Sequence, residues 1–302
     1  MNYSRFILFL KICKGIGDAS IRKLINDGCI EKIKFEKIEE ILPWIKNHRV
    51  YFKNKKIIDE LTLDDIILAN KKRVSIESNL KKINCNYISC YDDNYPSRYK
   101  KMYMTNDYPI LLFYKGNIDL MNSKKICSII GTRNPSKDAQ DLGFKIGTKM
   151  VEKGYVIMSG LALGCDTIGH MSCLNANGKT IAIMGTGIDI IYPKENKELA
   201  QRIVENDGLL ITEELPGFSG ASYSFVNRDR LQSAGADIIV ALETSIGGGT
   251  MHAAKATVEK YDKELYVIDP SMLPNGDVTG NYELIENYGA KIIHDISDLI
   301  CA

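Results

Sequence analysis

Apolar residues change their spacing once along the chain. Up to about residue 80 they recur at helical intervals, as in Ile57, Ile58 and Leu61 or Ile66, Ile67 and Leu68, with few turn residues and no strand-length alternation. This predicts a small all-helical domain over residues 1–80. Within it, Cys13-Lys14-Gly15-Ile16-Gly17-Asp18-Ala19-Ser20 joins two apolar segments in the manner of a helix-hairpin-helix or SAM-like unit. Such a glycine turn either offers backbone N–H groups to a phosphate or simply connects two helices tightly.

From Pro109 onward the texture is different. Short β-rich runs (Ile110–Tyr114, Ile126–Ile130, Tyr155–Met158, Thr180–Met184, Leu209–Thr212, Asp237–Leu242, Leu265–Ile268 and Lys291–Ile293) alternate with amphipathic stretches near 138–153, 166–176, 196–206, 225–234, 249–261 and 281–287. The runs are predominantly apolar on both faces instead of at every second position, as burial on both faces of a parallel sheet requires. The fold class is therefore α/β: an extended Rossmann-like, doubly wound, mostly parallel sheet over 109–302, joined by a linker over 81–108 to the helical domain.

Composition adds three constraints. The 302 residues, 45% hydrophobic and 25% charged, are those of an ordinary globular chain of about two domains. No apolar run approaches the roughly 18 residues of a membrane span, and the apolar patch near the N-terminus lacks a small-residue cleavage site, so neither membrane insertion nor secretion is expected. Eight scattered cysteines (13, 29, 85, 90, 127, 165, 173 and 301), several in core-like segments, read as reduced thiols of a cytoplasmic protein, with no metal-ligand spacing among them. The net charge of +1 is uneven: residues 1–125 carry 24 basic and 15 acidic side chains, the remainder 15 and 23. Solvated helix faces account for the basic excess as well as a polyanion partner does.

In a doubly wound sheet the ligand sits beyond the carboxyl ends of the strands, so the loops that leave them carry the chemistry. Here those loops are rich in Gly and Arg: Gly131-Thr132-Arg133, Ser159-Gly160, Gly185-Thr186-Gly187, Arg228-Asp229-Arg230 at the start of a helical segment, and Gly247-Gly248-Gly249-Thr250. Glycines let a backbone approach closely, helix N-termini bind anions, and guanidinium groups fork onto phosphate. Together they predict a site for a polyphosphate ligand.

Other chemistries fit less well. A dinucleotide site needs Gly-x-Gly-x-x-Gly after the first strand, where Gly131-Thr132-Arg133 stands; Gly178-Lys179-Thr180 ends like a P-loop but leads into a strand instead of a helix. His170, four residues after Asp166, reads as a packing or capping pair or as an acid–base pair, with no activated nucleophile nearby.

Read in order, the segments Tyr91-Asp92-Asp93-Asn94-Tyr95-Pro96, Pro109 to Gly116, Ile129-Ile130-Gly131-Thr132-Arg133, Ser159 to Asp166 with His170, Gly178 to Asp189, Tyr192-Pro193-Lys194-Glu195-Asn196 and Phe225 to Arg230 resemble the DNA-processing protein A (DprA/Smf) family over most of the chain. The resemblance implies a cytoplasmic, homodimeric, non-enzymatic binder of single-stranded DNA. It would shield incoming strands during natural transformation and load the RecA recombinase in the presence of single-strand-binding protein, without cofactor or metal. Carried over by position, Arg133, Lys194, Arg228 and Arg230 match basic DNA contacts, and Gly131, Ser159 and Gly160 match phosphate-facing loops. Thr132, Gly185, Gly187, Gly248, Gly249 and Thr250 complete the expected surface, with Phe225 as a candidate base-stacking ring. Neutralising about four phosphates predicts a roughly 50-fold loss of affinity between about 50 and 200 mM salt.

Two departures stand out. Asp229 occupies the centre of the family's Arg-Asn-Arg, and Gly247-Gly248-Gly249-Thr250 replaces a Ser-Gly-Ser-Leu segment. The second change leans toward the related phosphoribohydrolases, which release bases from nucleoside monophosphates, although Ala253 stands where their pattern places a catalytic Glu. A phosphoribohydrolase-like enzyme is therefore the alternative reading.

Overall fold

The computed structural model describes residues 2–31 and 37–301, with the side chains of 299–301 outside the description. The chain divides into two compact units, Met1–Tyr95 with Asn106–Leu112, and Pro96–Thr105 with Phe113–Ala302.

The first unit holds α1 (Tyr3–Ile12), α2 (Asp18–Asn26), α3 (Ile41–Asn47), α4 (Lys55–Glu60) and α5 (Leu63–Lys82), followed by a strand, β1 (Asn86–Ser89). Helix α5 starts where Thr62 and Asp65 cap each other: Asp65 N–H donates to Thr62 Oγ1 at 3.3 Å and Thr62 N–H to Asp65 Oδ2 at 2.9 Å. In the turn between α1 and α2, Gly15 has φ +82°, and a β-carbon there would lie 2.7 Å from Ile57 Cγ2. That glycine is thus used for close packing against α4.

The second unit contains α6 (Ser97–Lys100), the last four residues of β2 (Leu111–Gly116), β3 (Ile126–Ile130), α7 (Lys137–Glu152), β4 (Val156–Ser159), α8 (Cys165–Asn175), β5 (Thr180–Ile183), α9 (Lys197–Glu205), β6 (Leu209–Thr212), α10 (Ser222–Gly235), β7 (Ile238–Ala241), α11 (Thr250–Glu259), β8 (Glu264–Ile268), α12 (Thr279–Tyr288) and β9 (Lys291–Ile293). Its strands run in the order β2-β6-β5-β4-β3-β7-β8-β9. Every pairing is parallel except β2 with β6, which is antiparallel. Strands β3 to β7 are buried along their whole length because helices cover both faces. One face packs Cys127, Ile129, Ile157, Val240 and Ile268 against Ile146 and Met150 of α7.

The order of the strands locates the crevice. From β3 the chain winds outward through β4, β5 and β6, then returns to β7 on the other side of β3 and winds away through β8 and β9. The loops after β3 and β7 therefore diverge, and a ligand site opens between them. Asn281 of α12 closes its far side by accepting from Thr244 N–H at 2.9 Å and donating to the carbonyls of Leu242 and Ile268 at 3.0 and 3.2 Å.

Seven cysteines of the described residues are free thiols. No described helix is long and apolar enough to cross a membrane. No cluster of three or more His, Cys, Asp or Glu side chains is arranged to hold a metal among the described residues.

Candidate nucleic-acid interface

At the diverging loops lies a cleft of about 650 Å³. Gly131, Thr132 and Arg133 form one wall, the start of α10 with Phe225 another, and the turn Gly248-Gly249-Thr250 at the N-terminus of α11 a third. Gly160 lines a smaller cavity alongside, shared with Arg133, Tyr192 and Phe225.

The loop that carries Arg133 is fixed at both ends. Thr132 N–H donates to the Glu243 carbonyl at 2.8 Å, and Cys165 N–H donates to the Thr132 carbonyl at 3.1 Å. The buried Glu243 carboxylate accepts from Ser136 N–H at 2.9 Å and from Ser136 Oγ at 2.6 Å. Gly131 admits this arrangement because a β-carbon would collide with the Cys165 side chain. Arg133 itself is exposed and makes no ion pair among the described residues. Lys194, also exposed, sits on the short turn Lys194–Asn196, whose buried Asn196 Nδ2 donates to the carbonyls of Leu161 and Ala162 at 2.9 and 3.1 Å. The lysine is thereby held close to the β4 loop.

The other two expected cations are turned inward. Arg228, only 8% exposed, donates through Nη1 to the Ile183 carbonyl at 2.9 Å; its Nε lies 3.0 Å from Asp229 Oδ1 and its Nη2 3.7 Å from Asp166 Oδ2. Arg230 forks onto Glu213, with Nη2 donating to Oε1 at 2.8 Å and Nη1 pairing with Oε2. Both guanidinium groups thus already have carboxylate partners. Arg228 lines the cleft, whereas Arg230 does not.

The remaining expected residues divide in the same way. Gly248, Gly249 and Thr250 line the cleft; the N-cap of α11 at Gly249 has no side-chain acceptor, and the Met251 and His252 N–H groups of its first turn donate back to the Gly248 and Gly249 carbonyls at 3.1 Å each. Ser159 is buried and donates to the Ile129 carbonyl at 2.6 Å. Gly185 is covered by Phe225, whose Cδ1 would lie 2.6 Å from a β-carbon there, and Gly187 N–H donates to the Phe218 carbonyl at 2.8 Å. These three support the loops from beneath.

Phe225 is half-buried, with its ring centroid 5.3 Å from that of Tyr192, which is 47% exposed. The outward aromatic surface therefore belongs to Tyr192 as much as to Phe225. The sequence holds no local signal for this, because residues 33 positions apart meet only in the folded chain. Asp229 and Gln232 also line the cleft. Burial pushes the Asp229 carboxyl up to about 6, against the opposing pull of Arg228.

His170 and Asp166 do not form an acid–base pair. Buried His170 Nδ1 lies 2.7 Å from Thr180 Oγ1, and burial followed by the neighbouring Arg228 charge pushes the imidazole down to about 3. Asp166 instead accepts from Ala162 N–H at 3.1 Å and faces Arg228.

Comparison with known proteins gives a consistent picture. Residues 86–302 match the family model described as DNA recombination-mediator protein A. DNA processing protein DprA of Streptococcus pneumoniae is 35% identical over 212 residues, covering 70% of this chain and 72% of the relative. Protein Smf of Borreliella burgdorferi is 30% identical over 68% of this chain and 62% of its own length. The X-ray structure of the Streptococcus pneumoniae protein superposes with a TM-score of 0.77 at 27% identity, over 100% of this chain and 98% of that one. A structure of DNA processing protein A from Helicobacter pylori, solved for its single-stranded DNA binding mode, gives a TM-score of 0.62 at 29% identity, over 72% of this chain and 94% of that one.

Proposed function

The chain belongs to the DNA recombination-mediator protein A family, and we propose that it binds single-stranded DNA along the crevice between the loops after β3 and β7. One observation carries this reading: a single cleft joins an exposed, rigidly mounted Arg133 to aromatic rings and to the glycine turn that opens α11. Backbone phosphates would lie over Arg133 and Lys194, and bases against Tyr192 and Phe225. Arg228 and Arg230 act one step back, as buried ion-paired struts. A related structure that concerns a single-stranded DNA binding mode supports the choice of ligand.

The family description as a recombination mediator supports a role in recombination; in this reading the protein, as a homodimer, passes the strand to a RecA recombinase in the presence of single-strand-binding protein. No chemistry is required of the protein. Ala253 lines the cleft where a phosphoribohydrolase pattern places its carboxylate.

Fluorescence anisotropy with a labelled single strand and the corresponding duplex tests the reading. Tight binding of the single strand, weak binding of the duplex and no free base released from nucleoside monophosphates are the expected results. Equal affinity for both forms, or base release, overturns it. Assembly of RecA on strands coated with single-strand-binding protein tests the second step, which fails if this protein does not accelerate it.

A further inference from the structure

Three cleft-lining residues follow one another along one face of α10: Phe225, Asp229 four positions later and Gln232 three beyond that. The last of them is only 2% exposed, and its Nε2 has no hydrogen-bond partner among the described residues. A buried amide left unpaired is costly, and in a cleft lining it marks a place where a ligand supplies the missing acceptor. Beside it, Asp229 offers only acceptor oxygens when ionised.

A carboxylate next to an amide donor is the wrong lining for phosphate, whose oxygens all accept. It suits the edge of a nucleobase, where donors and acceptors alternate. We propose that this part of the cleft reads one base of the bound strand, with guanine preferred. Guanine presents O6 as an acceptor followed by N1–H and N2–H as two adjacent donors. Gln232 Nε2 would donate to O6 while the Asp229 carboxylate accepts from N1–H and N2–H, and Phe225 packs against the ring. Adenine, cytosine and thymine each give Asp229 a donor from only one ring-edge group. The cleft volume of about 650 Å³ accommodates a base with its sugar. Asp229 is also the position at which this chain departs from the Arg-Asn-Arg of the family it resembles, so the preference is a property of this sequence.

The inference rests on the strand-binding reading above, and one experiment separates the two. Anisotropy titrations use the full chain with labelled twelve-nucleotide thymidine strands in which the central base is T, A, C, G or hypoxanthine. For the wild-type protein, the G strand is expected to bind about tenfold more tightly than the all-T strand, with hypoxanthine, which lacks the N2 amine, losing most of that advantage. In Asp229→Asn and Gln232→Glu the ratio of G to T affinities is expected to fall to about one. Equal affinity for all five strands overturns base reading and leaves strand binding intact. A preference for G that survives both hypoxanthine replacement and the two substitutions overturns the assignment of these residues. Absence of binding to every strand overturns the strand-binding reading, and base reading with it.

Discussion

The guanidinium of Arg228 lies directly over Gly160, in the space that a β-carbon on residue 160 would occupy. The arginine can cross the end of β4 only because that position has no side chain, and there it meets Asp166, Asp229 and the Ile183 carbonyl. Gly160→Ala is therefore expected to displace a side chain held by several partners, lowering unfolding stability by about 1–3 kcal/mol. Denaturant unfolding measures it, and a change below a few tenths would show that Arg228 moves freely.

With Arg228 and Arg230 paired internally, two exposed cations remain of the four expected from sequence. The salt dependence should follow two phosphate contacts instead of four: about a sevenfold loss of affinity between about 50 and 200 mM salt. Arg133→Ala should weaken binding to every sequence about equally and flatten the logarithmic salt slope by about 0.7. A loss near 50-fold in the wild type would return Arg228 and Arg230 to the phosphate-contact set.

Arg230 provides the complementary test. Its partner Glu213 is as buried as it is, at 12% against 13% side-chain exposure. Removing one member of such a pair strands the other, so Arg230→Ala is expected to cost about 3–5 kcal/mol of stability. The salt slope of DNA binding should stay where it was. Thermal unfolding and titration of the same sample check both halves.

The raised pKa of Asp229, about 6 against 3.8, gives a pH signature. Well below pH 3.8 the group is protonated in folded and unfolded chains alike and contributes nothing to the difference. Between about pH 4 and 6 the unfolded chain gives up this proton before the folded one does, so stability falls as pH rises, and the loss is complete above 6, where the folded protein carries a desolvated carboxylate. Asp229→Asn removes that penalty, so the variant should gain stability relative to wild type between pH 4.5 and 7.5, by up to about 3 kcal/mol. Binding of an all-thymidine strand by the wild type should tighten from pH 7.5 to 5.5 as a repelling charge disappears, and by less in the variant, while the advantage of a guanine-containing strand shrinks as the accepting carboxylate is protonated. Parallel curves for the two proteins would exclude Asp229 as the titrating group.

Aromatic contact should be separable from charge. Tyr192→Ala and Phe225→Ala are each expected to lose about 1–3 kcal/mol of binding energy while leaving the salt slope unaltered, since no phosphate contact is removed. Of the two, Phe225→Ala should also reduce stability, because its ring packs over Gly185 and Gly220. Isothermal titration at two salt concentrations distinguishes these effects.

The doubly wound sheet was legible in the sequence because its signals are local. Runs such as Ile126–Ile130 and Leu209–Thr212 place apolar residues on both faces instead of at every second position, and a few residues suffice to reveal a strand buried on both sides. The loops that matter follow from those strands, so Gly131, Thr132, Arg133 and Gly248 to Thr250, which line the cleft, are legible from chain order alone. The strand β1 is not legible in the sequence, because Asn86-Tyr87-Ile88-Ser89 has no apolar run to announce it.

Which charges are left for a ligand is a different kind of information. Arg133 and Arg230 are the same residue type in similarly Gly- or Arg-rich settings, yet one is exposed and the other is neutralised by Glu213, seventeen positions away. Tyr192 meets Phe225, and Gln232, within an ordinary helical stretch, lines the cleft with an amide nitrogen that has no partner among the described residues. Sequence alone determined the fold and the edge of the sheet where chemistry gathers, since backbone preference and hydrophobic period are short-range. Only the tertiary structure decided which polar groups there keep unsatisfied capacity, since pairing and desolvation depend on neighbours that chain order does not place together.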